Sequence, residues 1–419
     1  NADSRGRKAW AGGRGGTAGN PLCSAAVGVT LLVMIFGTLA GWIYLSSVAA
    51  DADKVTLDDA LAAWDERDLD GVQDAIRRLQ NKSGFDEILG GALFALGAVK
   101  SETAKGEKSA TRQRNEFLIS SRYLEEASAH GFTHGRLEEG MRLLGETLVR
   151  SKQFAKAIKP LSEALAREPA DPTPLHRWLA QAYSYSKSPD LALALDHNQA
   201  VLADPAITPD ERADAQLMRA QLLERQQRFA DAMAVVGGIS ATPTTRPWIE
   251  LLSGQVQLGQ ARQAQAKNPD ADITSSVAQA QTHLQAARQL ETIPSVVTRR
   301  AMLLEGVAQR MSGNQRAALQ WFADTRKAYG STPEGLAAIL FEAELLEQAG
   351  QLSAALAGYR RVLKSAGEPS VYHNDMLPLA ELQSRLSQAV IRLASDEQYV
   401  GALSLLDHFR PLFAASRQL

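Results

Sequence analysis

His130 and His134, in HGFTH, are the only histidines of the chain spaced four residues apart, a separation that on a helix would begin a metal site. Gly131 between them points instead to a loop, and structural zinc wants about four ligands. The single cysteine, Cys23 in NPLCSA, offers neither an intramolecular disulfide nor a thiolate cluster. It precedes an apolar stretch instead of closing one, so it does not read as a lipidation site. YHND (372–375) brings a phenol, an imidazole and a carboxylate together, but Asn and Asp are turn formers. GGRGG (12–16) has the glycines of a phosphate cradle without a strand before it. H-E-x-x-H, P-loop, nucleophile-elbow and dinucleotide motifs are absent. The expectation is no catalytic residue, no metal and no cofactor. Function is then to be sought on a surface.

The elements that build that surface are helical. Hydrophobic residues make up 45% of the 419, enough for a sizeable core, and aromatics only 6%. Ala and Leu, both strong helix formers, dominate the apolar set, so the class is all-α. Lys and Arg number 45 against 47 Asp and Glu, a net charge of −2. That balance lacks the positive footprint of a nucleic-acid binder, and no nucleic-acid partner is expected.

The amino-terminal part reads as a membrane anchor. From Gly15 to Ala50 there is no charged residue, and AAVGVTLLVMIFGTLAGWIYLSSV (25–48) is long enough to span a bilayer, which takes about 20 apolar residues. Arg5, Arg7, Lys8 and Arg14 precede it, while Asp51, Asp53, Asp58 and Asp59 follow. Basic flanks stay cytoplasmic, which places residues 1–24 inside and the remainder outside. Cleavage at ADA (50–52) is the competing reading, disfavoured by a stretch longer than the usual h-region of about 7–15 residues. Gly37 and Gly41 lie four apart, the spacing that lets two membrane helices approach and that would support a homodimer. The chain starts at Asn1 and not Met, from which a processed chain or a fragment is expected.

Beyond the anchor, prolines keep time. Pro169, Pro205 and Pro243, then Pro294, Pro333 and Pro369, recur at intervals of 36 to 39 residues. A spacing of that size is the mark of a solenoid of helical hairpins. Within it, Leu144, Gly145, Phe154, Ala157, Leu161, Ala164 and Pro169 form the most complete unit. Looser copies carry Phe229 and Ala232, then Gly306, Gly313, Ala318 and Phe322, then Gly350, Ala355 and Tyr359. This pattern resembles the tetratricopeptide repeat family, whose period is about 34 residues. The resemblance implies a right-handed superhelical solenoid of eight or nine hairpins over residues 54–419, with small residues where the helices of a hairpin cross.

Three junctions are expected to be long loops, 100–113, 261–276 and 365–377, and Pro160 to kink a second helix. Residues 174–204 fit the repeat poorly, with a longer turn at SYSKSPD. In the family, first-helix residues line a concave face that holds an extended partner segment. Carried over, that face comprises Arg142, Glu146, Arg150, Gln221, Arg225, Arg310 and Glu344. Glu146 stands where the subfamily that captures C-terminal carboxylates has Asn, a departure from its specificity. The function implied is a non-catalytic, membrane-anchored scaffold in a bacterial envelope complex, at the inner membrane, with protein partners. Two alternatives stand beside it: the sensor half of a signalling enzyme whose catalytic part lies upstream, and an RNA-binding helical repeat.

Overall fold

The structure is a computed structural model that describes residues 55–413, apart from 82, 83, 134, 370, 371 and 373. The arm 1–24, the apolar segment 25–48 with Gly37 and Gly41, and His134 lie outside the described residues. Among the described residues no helix is long and apolar enough to cross a membrane.

The described chain is a succession of helical hairpins. The first four are α1 (Leu57–Asp65) with α2 (Leu69–Leu79), α3 (Phe85–Gly106) with α4 (Ala110–His130), α5 (Leu137–Arg150) with α6 (Phe154–Leu165), and α7 (Thr173–Tyr185) with α8 (Leu191–Ala203). The next three are α9 (Pro209–Arg225) with α10 (Phe229–Gly237), α11 (Arg246–Lys267) with α12 (Thr274–Gln289), and α13 (Val296–Met311) with α14 (Gln315–Tyr329). The last two are α15 (Pro333–Gln348) with α16 (Leu352–Ala366), and α17 (Leu379–Ser395) with α18 (Tyr399–Leu406), followed by the short α19 (Arg410–Phe413). The nine hairpins form a tetratricopeptide-like all-α solenoid. Each of the six periodic prolines falls where one hairpin hands over to the next, and Pro333 is the first residue of α15. There the missing N–H costs nothing, because the first turn of a helix has no acceptor for it.

Hairpins close through two kinds of turn. In six of them the residue two before the second helix has a positive φ: Arg67, Lys152, Gln227, Gly313, Gly350 and Glu397. The same pair of backbone bonds seals each, as Lys152 N–H to Val149 C=O and Gln153 N–H to Leu148 C=O show at 2.9 and 2.7 Å. This is the Schellman arrangement, which satisfies carbonyls the helix end leaves free. The remaining three hairpins turn differently, and two of them correct the sequence reading. Residues 100–106 continue α3 and 110–113 open α4, so the expected loop 100–113 shrinks to 107–109. Likewise 261–267 extend α11 and 274–276 open α12, leaving only 268–273 between them. The added residues lengthen helices: α3 and α11 have 22 residues against 14 in α5. The described residues between Gly367 and Pro378 are not helical, and SYSKSPD holds the turn between α7 and α8. α6 runs on through the buried Pro160.

Packing explains the small residues. A Cβ on Gly145 would stand 2.3 Å from Leu161, and one on Gly306 would stand 2.5 Å from Phe322. Gly97 against Leu124 and Gly254 against Leu284 repeat the arrangement, each at 2.7 Å. In these four hairpins a large side chain of the second helix fills the hollow that glycine leaves in the first. Ala157 and Ala318, both fully buried, line the same seams.

Candidate functional site

Counting back from the left-handed turn residue aligns the first helices. Glu146, Gln221 and Glu344 each stand six residues before it, and Arg150 and Arg225 two before. Arg310 stands three before Gly313, in register with Val149, Glu224 and Glu347. The seven face residues therefore share one side of successive helices, but they do different things there.

Arg142, Glu146 and Arg150 come together. Arg150 Nε donates to Glu146 Oε1 at 2.9 Å, Arg142 lies 4.0 Å from the other oxygen, and Lys105 of α3 approaches at 3.7 Å. Glu146 is only 5% exposed, so its charge is held by these cations and not by water. The Arg150 guanidinium also lies over Phe117 at 5.2 Å and Trp178 at 4.8 Å, which fixes its plane.

Arg310 and Glu344 form a second network. Arg310 donates to Glu344 at 2.7 Å, and Arg385 of α17 reaches both carboxylate oxygens at 3.0 and 3.1 Å. Arg385 covers Phe341 at 4.9 Å and donates to Glu381 at 2.8 Å. Glu344 thus joins three consecutive first helices.

Arg225 differs. Its Nη1 donates to the Ser184 carbonyl at 2.8 Å and to Ser184 Oγ at 2.7 Å, and its guanidinium lies 5.7 Å from the Tyr185 ring. It has no carboxylate partner among the described residues. Gln221 is half-buried on the same helix.

The sequence reading missed Arg262, Glu224 and Tyr185. Arg262 was lost because it fell in a stretch assigned to a loop, although ARQAQAK contains only helix formers until Asn268 and Pro269. The side chain is solvent-exposed and makes no ion pair among the described residues. Desolvation lowers its guanidinium from the ordinary value, and the charge of Arg385 adds to this. Glu224 and Glu381 oppose that effect. Burial raises Glu224, while Gln255, Arg262 and Arg225 act against that shift. Tyr185, 40% exposed, packs on Phe154 at 5.5 Å. Burial raises its phenol while the charges of Arg300 and Asp375, several hairpins downstream, act on it in opposite directions.

The remaining candidates are structural. Asn374 accepts the N–H groups of Met376 and Leu377 and donates to the Pro333 carbonyl at 3.0 Å, so it builds a turn over the start of α15. Among the described residues no three His, Cys, Asp or Glu side chains are grouped to hold a metal ion. One pair of imidazoles went unread: His176 of α7 and His197 of α8 share an Nδ1 to Nδ1 hydrogen bond at 2.9 Å, with Tyr183 stacked on His197.

No protein-family model and no curated protein matches this sequence. Solved structures do. The apo form of RapI superposes with a TM-score of 0.51 at 12% identity, covering 86% of this chain and 96% of that one. Human IFIT1, solved as a dimer with m7Gppp-AAAA, gives a TM-score of 0.48 at 14% identity, with 85% and 81% covered. NprR in complex with its cognate peptide NprX gives 0.42 at 13%, with 86% and 89% covered. The likeness to RapI is one of fold.

Proposed function

We propose that this chain is a non-catalytic scaffold that captures an extended segment of a partner protein in the concavity lined by α7, α9, α11 and α13. The observation that carries this reading is the contrast among inner-face arginines. Arg150, Arg310 and Arg385 are neutralised by Glu146 and Glu344, whereas Arg225 and Arg262 have no carboxylate partner among the described residues. A guanidinium without a carboxylate partner over an accessible tyrosine, as at Arg225 and Tyr185, suits a segment that brings acidic side chains, and Arg and Tyr are the residues that most often dominate such interfaces. The near-balanced charge of the whole chain, −2, gives no general attraction for a polyanion. The scaffold sits at the bacterial inner membrane through residues 25–48, with 1–24 cytoplasmic and the solenoid outside, on the strength of the flanking charges.

The test replaces Arg225 and Arg262 by Ala in the full chain and measures partner recovery from crosslinked envelopes beside the melting temperature. Loss of a wild-type partner with little change in melting is expected. Full recovery of every partner would remove the concavity as the site. A reporter fused after Leu419 that is active only in the cytoplasm would reverse the orientation.

A further inference from the structure

Two hairpins of the solenoid carry an arginine two residues before the left-handed turn, and they treat it in opposite ways. Of the six hairpins closed by such a turn, the third has Arg150 at that position and the fifth Arg225, while the others have Asp65, Met311, Gln348 and Ser395. One helical turn earlier, on the same face, the third hairpin has Glu146 and the fifth has Gln221. These two side chains have the same length and differ in charge. That difference decides the state of the arginine. Glu146 accepts from Arg150 Nε at 2.9 Å and neutralises it. Gln221 has no charge with which to do so, and Arg225 is left without a carboxylate among the described residues.

The arginine left open in this way is still held in place. Arg225 Nη1 donates to the Ser184 carbonyl at 2.8 Å and to Ser184 Oγ at 2.7 Å, and Ser184 is only 2% exposed. The Tyr185 ring, 5.7 Å away, adds a weak restraint on the guanidinium. Nε and Nη2 form the other edge of the fork and make no hydrogen bond among the described residues. Arg225 as a whole is exposed, so that edge is open to a ligand. It offers two parallel N–H groups, the pattern that a carboxylate meets with both oxygens. A donor oriented in advance loses little freedom when the ligand arrives.

We propose that Gln221, Arg225 and Ser184 make a carboxylate socket in the concavity, in which an acidic group of the captured segment takes the part on Arg225 that Glu146 plays on Arg150. The socket rests on the capture proposed for this concavity and names what the captured segment must bring: a carboxylate, from an Asp or Glu side chain or from a chain end. Gln221 is then the residue that sets specificity. With Glu at 221 the fifth hairpin would neutralise its own arginine as the third does. With Gln it stays open.

The full chain in mild detergent is applied to an array of short peptides of varied sequence, amidated at the C-terminus. Each is spotted beside a copy with Asn and Gln for its Asp and Glu, and beside a second neutralised copy with a free terminal carboxylate. Wild-type protein is expected to bind a subset of the acidic peptides and to bind their amidated neutral copies about tenfold more weakly, the contribution of one charge-assisted hydrogen bond. Binding restored in the free-acid copies identifies a chain end as the source, and its absence identifies side chains. Gln221→Glu is expected to weaken the same peptides about tenfold with an unchanged melting temperature, whereas Gln221→Ala keeps them. Arg225→Lys, which keeps the charge and loses the fork, is expected to weaken them as well. The socket is overturned if amidated neutral copies bind as well as acidic ones, or if Gln221→Glu or Arg225→Lys binds as the wild type does. It is equally overturned if Gln221→Ala loses as much as Gln221→Glu. Loss of array binding in Arg225→Ala with Arg262→Ala, together with full binding by Gln221→Glu, removes the socket and leaves capture in the concavity standing. A wild-type chain that binds no peptide removes both.

Discussion

Glu146 and Glu344 stand at the same position of two repeats, equally buried and each ringed by cations, yet they hold different things together. Around Glu146 the closest partner is Arg150 of its own helix at 2.9 Å, followed by Lys105 of the preceding hairpin at 3.7 Å and Arg142 of its own helix at 4.0 Å. Around Glu344 both arginines come from neighbouring helices, Arg310 from the hairpin before and Arg385 from the hairpin after. The first carboxylate makes its one short bond within its own helix, with a longer tie to the hairpin before. The second staples three hairpins. One repeat position can therefore serve mainly its own helix in one half of a solenoid and the joints between hairpins in the other.

The sharpest way to break this comparison is to delete each carboxylate. Removing one partner from a buried ion pair strands the other charges and costs about 3–5 kcal/mol when they are fully enclosed. Arg310 and Arg385 keep 31% of their side chains exposed, so Glu344→Ala is expected to cost about 2–3 kcal/mol. Glu146→Ala should cost about half of that, since Arg142 and Arg150 can turn to water without moving a neighbouring hairpin. Urea unfolding of both variants checks the order. Equal losses would mean that the stapling across hairpins adds nothing.

Next in size are the seams common to both halves. Ala157 and Ala318 are fully buried, and enlarging either to Leu overpacks a close helix crossing at a cost of typically about 1–3 kcal/mol. Similar losses at the two sites are expected, because the hollows at Gly145 and Gly306 are filled alike. A large asymmetry in melting temperature would show that the halves differ in packing as well as in charge.

These seams were legible in the sequence because they depend on residue size at fixed spacing. Gly145, Phe154, Ala157, Leu161 and Ala164 could each be read from one repeat. The inner face was only partly legible. Its residues could be placed by register, but whether an arginine is free or neutralised depends on helices 34 to 41 residues away, as at Glu344. Arg262 escaped altogether because a long first helix was mistaken for a loop. Asn268 and Pro269 mark its true end, midway through the stretch read as irregular.

Smaller again is an effect confined to the middle of the chain, where the repeat is least regular. Burial holds both His176 and His197 below the ordinary imidazole value of 6.5, and His176 further lowers His197 while Asp196 opposes it. The unfolded chain then binds more protons than the folded one below about 6.5, so stability is present above that pH and is lost as pH falls toward the depressed folded values. Melting temperatures at pH 7.5 and 5.5 should show this drop, and His176→Gln with His197→Gln should reduce it. An unchanged drop in the double variant would assign the acid sensitivity elsewhere.

The smallest expected effect concerns the turns. The first half sets Arg67, Lys152 and Gln227 in the left-handed region, while the second half sets Gly313 and Gly350 there before reverting to Glu397. A residue with a Cβ costs about 1 kcal/mol or more in that region, and glycine avoids this at an entropic cost of about 0.5–1 kcal/mol in the unfolded chain. The exposed side chain of Gln227 makes no contact that the turn depends on, because the turn is sealed by backbone bonds from Gln227 and Arg228 to Glu224 and Leu223. Gln227→Gly is therefore expected to stabilise by roughly 0.5 kcal/mol, and Gly313→Gln to destabilise by a similar amount. Paired urea midpoints for the two variants measure the difference directly. If Gln227→Gly weakens the fold, the first half must draw stability from that side chain, and the two halves would differ in how they close their hairpins as well as in how they place their charges.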